Sequence, residues 1–165
     1  MRILLICLGV FLLSSAKAYN LKYEKKLKKE LSSVFETYEH NKCELIQTVI
    51  NSTINITSEI YSINDQTGNQ LGYFAVSQGE GRFETFDFLV VYDLNKRIQK
   101  VKILLYSSTY GYEIGSKRWL HQFKDHEVNH HFKYNDDIQA ISGATVSGRG
   151  LTEGINRLNV IMGEI

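Results

Sequence analysis

A run of small residues near the C-terminus has the composition of a phosphate-binding turn. It reads Ser142, Gly143, Ala144, Thr145, Val146, Ser147, and apolar residues at helical spacing follow it. The start of a helix presents free backbone N–H groups and the positive end of the helix dipole, and both favour an anion. Gly143 permits positive φ, Ala144 leaves room, and Ser142 and Ser147 add hydroxyl donors. The run predicts an anion site, although an ordinary helix capped by Ser or Thr would have a similar composition.

The same run resembles the Ser-Gly-Ala-Thr-x-Ser/Thr signature of FMN-binding domains. These domains occur in the flavin subunits of sodium-pumping NADH:quinone reductases and of related ferredoxin-linked complexes. In the family the Thr hydroxyl is joined to the phosphate of FMN by a phosphoester bond, so the resemblance implies that Thr145 is a modified residue. One position departs from the family pattern: Asp usually stands three residues before the Ser, and here that residue is Gln139. Non-covalent FMN binding, or a flavin reductase, therefore stays open as an alternative.

A second segment extends the resemblance. It runs Thr109-Tyr110-Gly111-Tyr112-Glu113-Ile114-Gly115 and leads to Trp119, Gln122 and Phe123. FMN-binding domains have a comparable Gly- and Glu-bearing loop beside the flavin, followed by a short helix that ends in Gln-Phe. Glycines let backbone approach a flat ring, Tyr110, Tyr112 and Trp119 could stack on it, and Glu113 could accept a hydrogen bond. An aromatic loop that closes the sheet edge is the alternative.

The resemblance covers residues 71–162 and implies an electron carrier with covalent FMN. The expected cofactor-binding residues are Tyr110, Gly111, Glu113, Ile114, Ser142, Gly143, Ala144, Thr145, Val146 and Ser147. It also implies an exported FAD:protein FMN transferase as modifying enzyme, a membrane electron donor and an acceptor that the sequence does not identify. We see no acid–base pair or nucleophile constellation, so a redox carrier is favoured over a stand-alone enzyme. A cofactor-free exported interaction module is a further alternative.

The N-terminus has the pattern of a secretory signal. Arg2 precedes an apolar run over residues 3–13, and residues 14–18 end in an Ala-x-Ala pattern. We predict cleavage after Ala18, an exported protein, and one domain over residues 19–165. An uncleaved anchor is the alternative, although the apolar run is shorter than the ~20 residues that span a bilayer.

The net charge and the cysteine, histidine and lysine residues bear on whether the protein binds nucleic acid, a metal ion or a membrane. Loss of residues 1–18 takes the 19 basic residues to 17 against 18 acidic ones, a net charge of −1 that does not favour nucleic acid. Cys43 would then be alone, and we expect it to be buried. Four histidines fit no standard metal spacing, so no metal site is predicted: His121, His126, His130 and His131. Five lysines within residues 22–29 could touch an acidic membrane surface or form the solvated face of a helix.

Hydrophobic periodicity predicts an α+β domain. Helices are expected over residues 21–39, 116–123, with Ser116 as cap, and 146–162. Strands are expected over residues 44–51, 59–64, 71–77, 83–93 and 98–106. Short turns at residues 64–69, 78–81 and 94–97 imply an antiparallel meander with the helices packed on it.

Overall fold

The computed structural model describes residues 21–35 and 42–165, so the predicted signal at residues 1–18 lies outside the described residues. The elements are α1 (Leu21–Ser32), β1 (Lys42–Asn51), β2 (Ile56–Asn64), β3 (Gln70–Glu80), β4 (Thr85–Asp93), β5 (Ile98–Leu105), α2 (Lys117–Leu120) and α3 (Thr145–Glu164). Short 3₁₀ turns at Tyr112–Gly115 and His121–Phe123 flank α2. The α+β class predicted from the sequence is confirmed.

The strands pair in chain order. In the described residues they form a five-stranded antiparallel sheet in which each strand hydrogen-bonds to its sequence neighbour. Short turns allow this arrangement because antiparallel neighbours need only a few connecting residues. The predicted meander is confirmed.

Helices cover both faces of the sheet. On one face Leu27 and Leu31 of α1 pack with Phe74, Leu89 and Val91. On the other face the long helix α3 packs against side chains of β4 and β5, with Phe86, Phe88, Val90, Tyr92, Ile98, Leu151, Ile155 and Leu158 fully or almost fully buried. Each large apolar side chain removed from water contributes about 1.5–3 kcal/mol. Alternation along β4 thus divides its side chains between two cores.

Glycines bring α3 close to the sheet. A Cβ at Gly154 would lie 2.8 Å from the ring of Phe88, and one at Gly150 would collide with the backbone carbonyl of Glu80. Because these positions have no side chain, α3 can lie against β3. This contact sets the first turn of α3 beside the connection between β3 and β4.

Side-chain amides of α3 hold the long segment that precedes the helix. The amide of Asn156 both accepts from the backbone N–H of Phe132 and donates to its carbonyl, each at 2.9 Å. The phenol of Tyr92 donates to the Asn159 side chain at 3.1 Å, and burial raises the pKa of Tyr92. A segment without regular structure is thereby fixed, since its buried backbone groups have partners.

Several predicted boundaries were wrong. Helix α1 was expected to reach residue 39 but ends at Ser32. At this end the Ser32 hydroxyl donates to the Lys28 carbonyl and the Ser33 hydroxyl donates to the Glu30 carbonyl. Residues 36–41 lie outside the described part of the chain. Strand β3 continues to Glu80, so the turn that was expected at residues 78–81 lies at residues 81–84.

Three further expectations need correction. The predicted helix at residues 116–123 is divided into α2 and a 3₁₀ turn, and the Ser116 side chain makes no capping hydrogen bond. Helix α3 begins at Thr145 rather than at residue 146. Cys43, expected to be buried, is exposed because β1 is an edge strand. Among the described residues, no helix has the length and apolar character needed to cross a membrane.

Candidate functional site

The Ser-Gly-Ala-Thr loop (residues 141–145) leads directly into α3. Gly143 has a φ of 81°, in the left-handed region that favours glycine. Ala144 is the N-cap residue and is buried, whereas Ser142, Gly143 and Thr145 are exposed. The Thr145 hydroxyl is therefore presented at the surface, in the first turn of the helix.

The first turn of α3 keeps its backbone donors available. In the described part of the chain no side chain caps this helix, and the first intrahelical bond runs from the Gly148 N–H to the Ala144 carbonyl at 2.8 Å. The alternative of an ordinary Ser or Thr cap is therefore wrong. An anion beside Thr145 would meet the N–H groups of the first turn and the positive end of the dipole.

Ser147 is engaged inside the protein. Its side chain is buried, and its hydroxyl lies 2.7 Å from the phenol of Tyr106, which donates to the Tyr110 carbonyl at 2.6 Å. These two hydrogen bonds connect α3 to the loop at residues 110–115, named here the Tyr110 loop. Ser147 consequently acts in positioning, and Thr145 is the accessible hydroxyl of the helix start.

The Tyr110 loop lies against the Ser-Gly-Ala-Thr loop. Gly111 has a φ of 87°, and a Cβ there would stand 2.5 Å from the Tyr106 hydroxyl and 2.8 Å from Ser147 Oγ. Glu113 reaches across to Gly143, where a Cβ would lie 3.3 Å from its Oε1. Glu113 Oε2 is buried without a hydrogen-bond partner in the described residues. A buried carboxylate oxygen without a donor is costly, so this atom suits a ligand donor.

Trp119 and Gln122 hold the segment before Ser142. The indole N–H of Trp119 donates to the Gln139 carbonyl at 2.7 Å, and the Gln139 N–H donates to Gln122 Oε1 at 2.8 Å. Trp119 is buried and packs edge-on against Phe123 at 5.6 Å between ring centroids. The prediction that Trp119 stacks on a ligand was therefore wrong, because its ring is already in the core.

A cleft of about 220 Å³ opens at the helix start. Its walls are Arg82, Tyr110, Gly111 and Gly143 through Ser147. At its mouth Tyr110 is 63% exposed and Phe83 is 69% exposed, and the two rings meet edge-on at 6.0 Å. The Arg82 guanidinium lies 5.3 Å from the Phe83 ring centroid. The cleft therefore combines helix N–H groups, a cation and an aromatic surface.

Comparison with known proteins identifies this part of the chain. Residues 81–159 match the FMN-binding domain family. This segment is an FMN-binding domain. It includes β4, β5, α2 and the first part of α3, and therefore both loops of the site. The family predicted from the two motifs is confirmed.

A solved structure has the same fold over most of the chain. NqrC from Shewanella oneidensis superposes with a TM-score of 0.60 at 14% identity, covering 82% of this chain and 93% of that chain. At such low identity the likeness shows the fold alone, and it extends the comparison beyond residues 81–159. No curated protein matches the chain.

The geometry fits the phosphate end of FMN. The cleft is smaller than the ~300–1,000 Å³ typical of pockets that enclose a ligand. A phosphate at the helix start would meet N–H donors and Arg82, whereas a flavin ring would extend out of the cleft toward Phe83 and Tyr110. The residues present thus fit an FMN whose ring lies at the surface of this FMN-binding domain.

The structure brings most of the predicted residues together and adds two. Gly111, Gly143, Ala144, Val146 and Ser147 line the cleft with Tyr110 and Thr145. Ile114 is fully buried in the core. Sequence reasoning missed Arg82 and Phe83, because Phe83 was assigned to a strand. Both residues directly follow Gly79 and Gly81 in the sequence, and this position was the signal that could have identified them as loop residues.

The histidines and the cysteine lie elsewhere. The rings of His126 and His130 stand 4.4 Å apart between centroids, and both contact Phe132. In residues 21–35 and 42–165 no cluster of three ligating side chains could hold a metal ion. Cys43 lies on β1, at the sheet edge away from β4 and β5.

Proposed function

We propose that this protein is an exported electron carrier with FMN joined through its phosphate to Thr145. The observation that carries the proposal is the exposed Thr145 in an uncapped first helical turn within an FMN-binding domain. Bound flavin supplies the redox chemistry, and the protein supplies attachment, orientation and surroundings.

The attachment step follows from the chemistry of the partner that the family resemblance implies. An FAD:protein FMN transferase would place the FMN phosphorus of FAD on Thr145 Oγ1. The Oγ1–P bond forms, the pyrophosphate bond of FAD breaks, AMP leaves, and the hydroxyl proton is released. The product keeps one negative charge on the phosphodiester, which the helix N–H groups and Arg82 stabilise.

Neighbouring residues support Thr145 as the attachment point. Ser142 and Gly143 are exposed, so a modifying enzyme can reach the loop. The buried Ser147 hydroxyl is bonded to Tyr106 and is not presented to an enzyme. The backbone of Gln139, which replaces the usual Asp, is held by Trp119 and Gln122, so the loop has its shape without that carboxylate.

Electron transfer fits a ring at the surface. The exposed Phe83 and Tyr110 would contact the ring on one side and leave an edge accessible to a partner's redox centre. A membrane donor and an extracytoplasmic acceptor are part of the proposal, and the N-terminal signal pattern supports export.

Intact-protein mass tests the attachment. The wild type, Thr145→Ala and the exposed control Ser142→Ala are each co-expressed with an FAD:protein FMN transferase. We expect a gain of one FMN less one water in the wild type and in Ser142→Ala, and no gain in Thr145→Ala.

Each other result selects a different function. A gain that persists in Thr145→Ala would overturn the attachment site. Flavin that is released on denaturation would identify a non-covalent FMN protein. A colourless protein with no mass gain would leave the cofactor-free interaction module.

A further inference from the structure

A second groove carries a concentration of positive charge. It lies between α1, β5 and α2 and has a volume of about 560 Å³. The charged side chains that line it, among the residues that the structure describes, are Lys29, Lys100, Lys102, Lys117, Lys124 and one acid, Glu30. These five lysines and one glutamate sum to a charge of +4 among the described lining residues, whereas the whole chain carries +1. The rest of the chain therefore carries −3, and the charge is segregated onto this face.

Glu30 forms its ion pairs with the two inner lysines of the groove. Its carboxylate lies 2.6 Å from Lys100 Nζ and 3.7 Å from Lys102 Nζ, and the residue is buried. Burial acts to raise the pKa of Glu30, but the hydrogen bond from Lys100 and the lysine charges hold it below its ordinary value. The Glu30 carboxylate is thus already paired with two lysines in the wall of the groove.

The outer lysines are compensated more weakly than the inner ones. Lys29 and Lys117 form no ion pair within 4.0 Å in the described part of the chain, and both are exposed. Lys124 has only Asp125, at 3.9 Å, whose side chain is 70% exposed. Like charges gathered in this way repel one another, so a negatively charged occupant would relieve them.

We propose that this groove docks an acidic, extended segment of a protein partner. Lysine ammonium groups on flexible stems recognise net charge rather than the planar geometry of one phosphate. A concave surface suits a chain that enters it, whereas a bilayer is flat on this scale. Affinity should be modest and strongly dependent on salt, as in transient complexes steered by charge.

The groove adjoins the FMN site through α2. Lys117, Leu120 and His121 line the groove, whereas the neighbouring Trp119 donates to the Gln139 carbonyl, three residues before Ser142. A partner held in the groove would lie beside the Tyr110 loop. The inference that this partner exchanges electrons rests on the proposed function, but the docking itself does not.

Binding of a fluorescent polyglutamate peptide tests the docking without flavin. All proteins carry Thr145→Ala, so failure of the carrier proposal cannot affect the result. The test variant is Lys117→Glu with Lys124→Glu, and the control, Lys133→Glu with Arg149→Glu, makes the same charge change outside the groove. Circular dichroism verifies that all are folded.

We expect anisotropy to report binding that weakens as NaCl rises. The groove variant should bind about tenfold more weakly, as expected for the loss of a few exposed ion pairs, and the control should bind like its parent. Equal weakening in both variants, or absence of peptide binding, would overturn the proposal. A protein that co-sediments with phosphatidylglycerol vesicles but does not bind the peptide would also overturn the proposal, because the groove would then bind a membrane surface.

Discussion

The indole N–H of Trp119 donates a 2.7 Å hydrogen bond to the backbone carbonyl of Gln139. This bond joins α2, at one wall of the basic groove, to the segment that enters the Ser-Gly-Ala-Thr loop. The side chain of Gln122 bonds the N–H of the same Gln139 at 2.8 Å. The backbone carbonyl and N–H of Gln139 are thus both bonded by side chains, those of Trp119 and Gln122, which lie three residues apart in the chain.

Removing the Trp119 donor should loosen the entry to α3. Trp119→Phe keeps an aromatic ring beside Phe123 but removes the hydrogen bond to the Gln139 carbonyl. Because Gln139 is exposed, this loss costs about 0.5–1.5 kcal/mol. Urea unfolding measures the loss, and the fraction of protein carrying covalent flavin should fall as the loop becomes less ordered. Unchanged stability and unchanged flavin loading would show that the bond does not position the loop.

Gly111 and Gly115 offer a matched pair at the two ends of the Tyr110 loop. Gly111→Ala requires a side chain at a φ of 87° and places Cβ against Tyr106 and Ser147. The left-handed conformation alone costs about 1–2 kcal/mol. Gly115→Ala has open space and should change the free energy of unfolding by less than about 0.5 kcal/mol. Thermal unfolding of both variants checks the difference; equal effects would contradict the geometry.

Phe83 and Tyr110 should contact the flavin ring in the modified protein. Phe83→Ala and Tyr110→Ala remove exposed rings, so stability should change by less than about 0.5 kcal/mol. Flavin fluorescence should increase, because stacked aromatic rings quench it. Leu94→Ala, an exposed apolar residue in the turn between β4 and β5, is the control and should leave fluorescence unchanged. Equal flavin fluorescence in the control and in both variants would show that the flavin ring lies elsewhere.

His126 should make stability depend on pH. Burial and the neighbouring His130 lower the pKa of His126, while Asp137 and Asp125 act in the opposite direction. A base whose pKa is lowered in the folded state contributes stability that is present above the unfolded pKa of 6.5 and is lost as pH falls below it.

Urea unfolding at about pH 7.5 and about pH 5.5 measures this dependence. We expect the wild type to lose stability on acidification, and His126→Gln to lose less. His131→Asn, a change at an exposed neighbour, should behave like the wild type. A loss in His126→Gln as large as in the wild type would assign the dependence to other groups.

Local patterns were enough to predict most of the elements, and the proposed chemistry of the site rests on them too. Alternation of apolar residues predicted five strands, and helical spacing predicted α1 and α3, because both patterns follow from backbone geometry within each element. The small residues from Ser142 to Ser147 pointed to an anion site for the same local reason. Boundaries failed where contacts between strands decided them: Gly79 stays in β3 because the Phe86 ring of β4 covers it.

Contacts between distant residues decided the rest. Thr145 and Ser147 are similar hydroxyl residues in the sequence, yet Tyr106, 41 positions from Ser147, engages one and leaves the other exposed. The sequence predicted that Trp119 could stack on a ligand, whereas in the structure its indole bonds Gln139 and its ring packs against Phe123. Phe83 and the five groove lysines come from elements far apart in the chain. Sequence alone therefore determined the family motif and the elements, whereas burial and long-range pairing, which only the tertiary structure creates, decided which side chains are accessible.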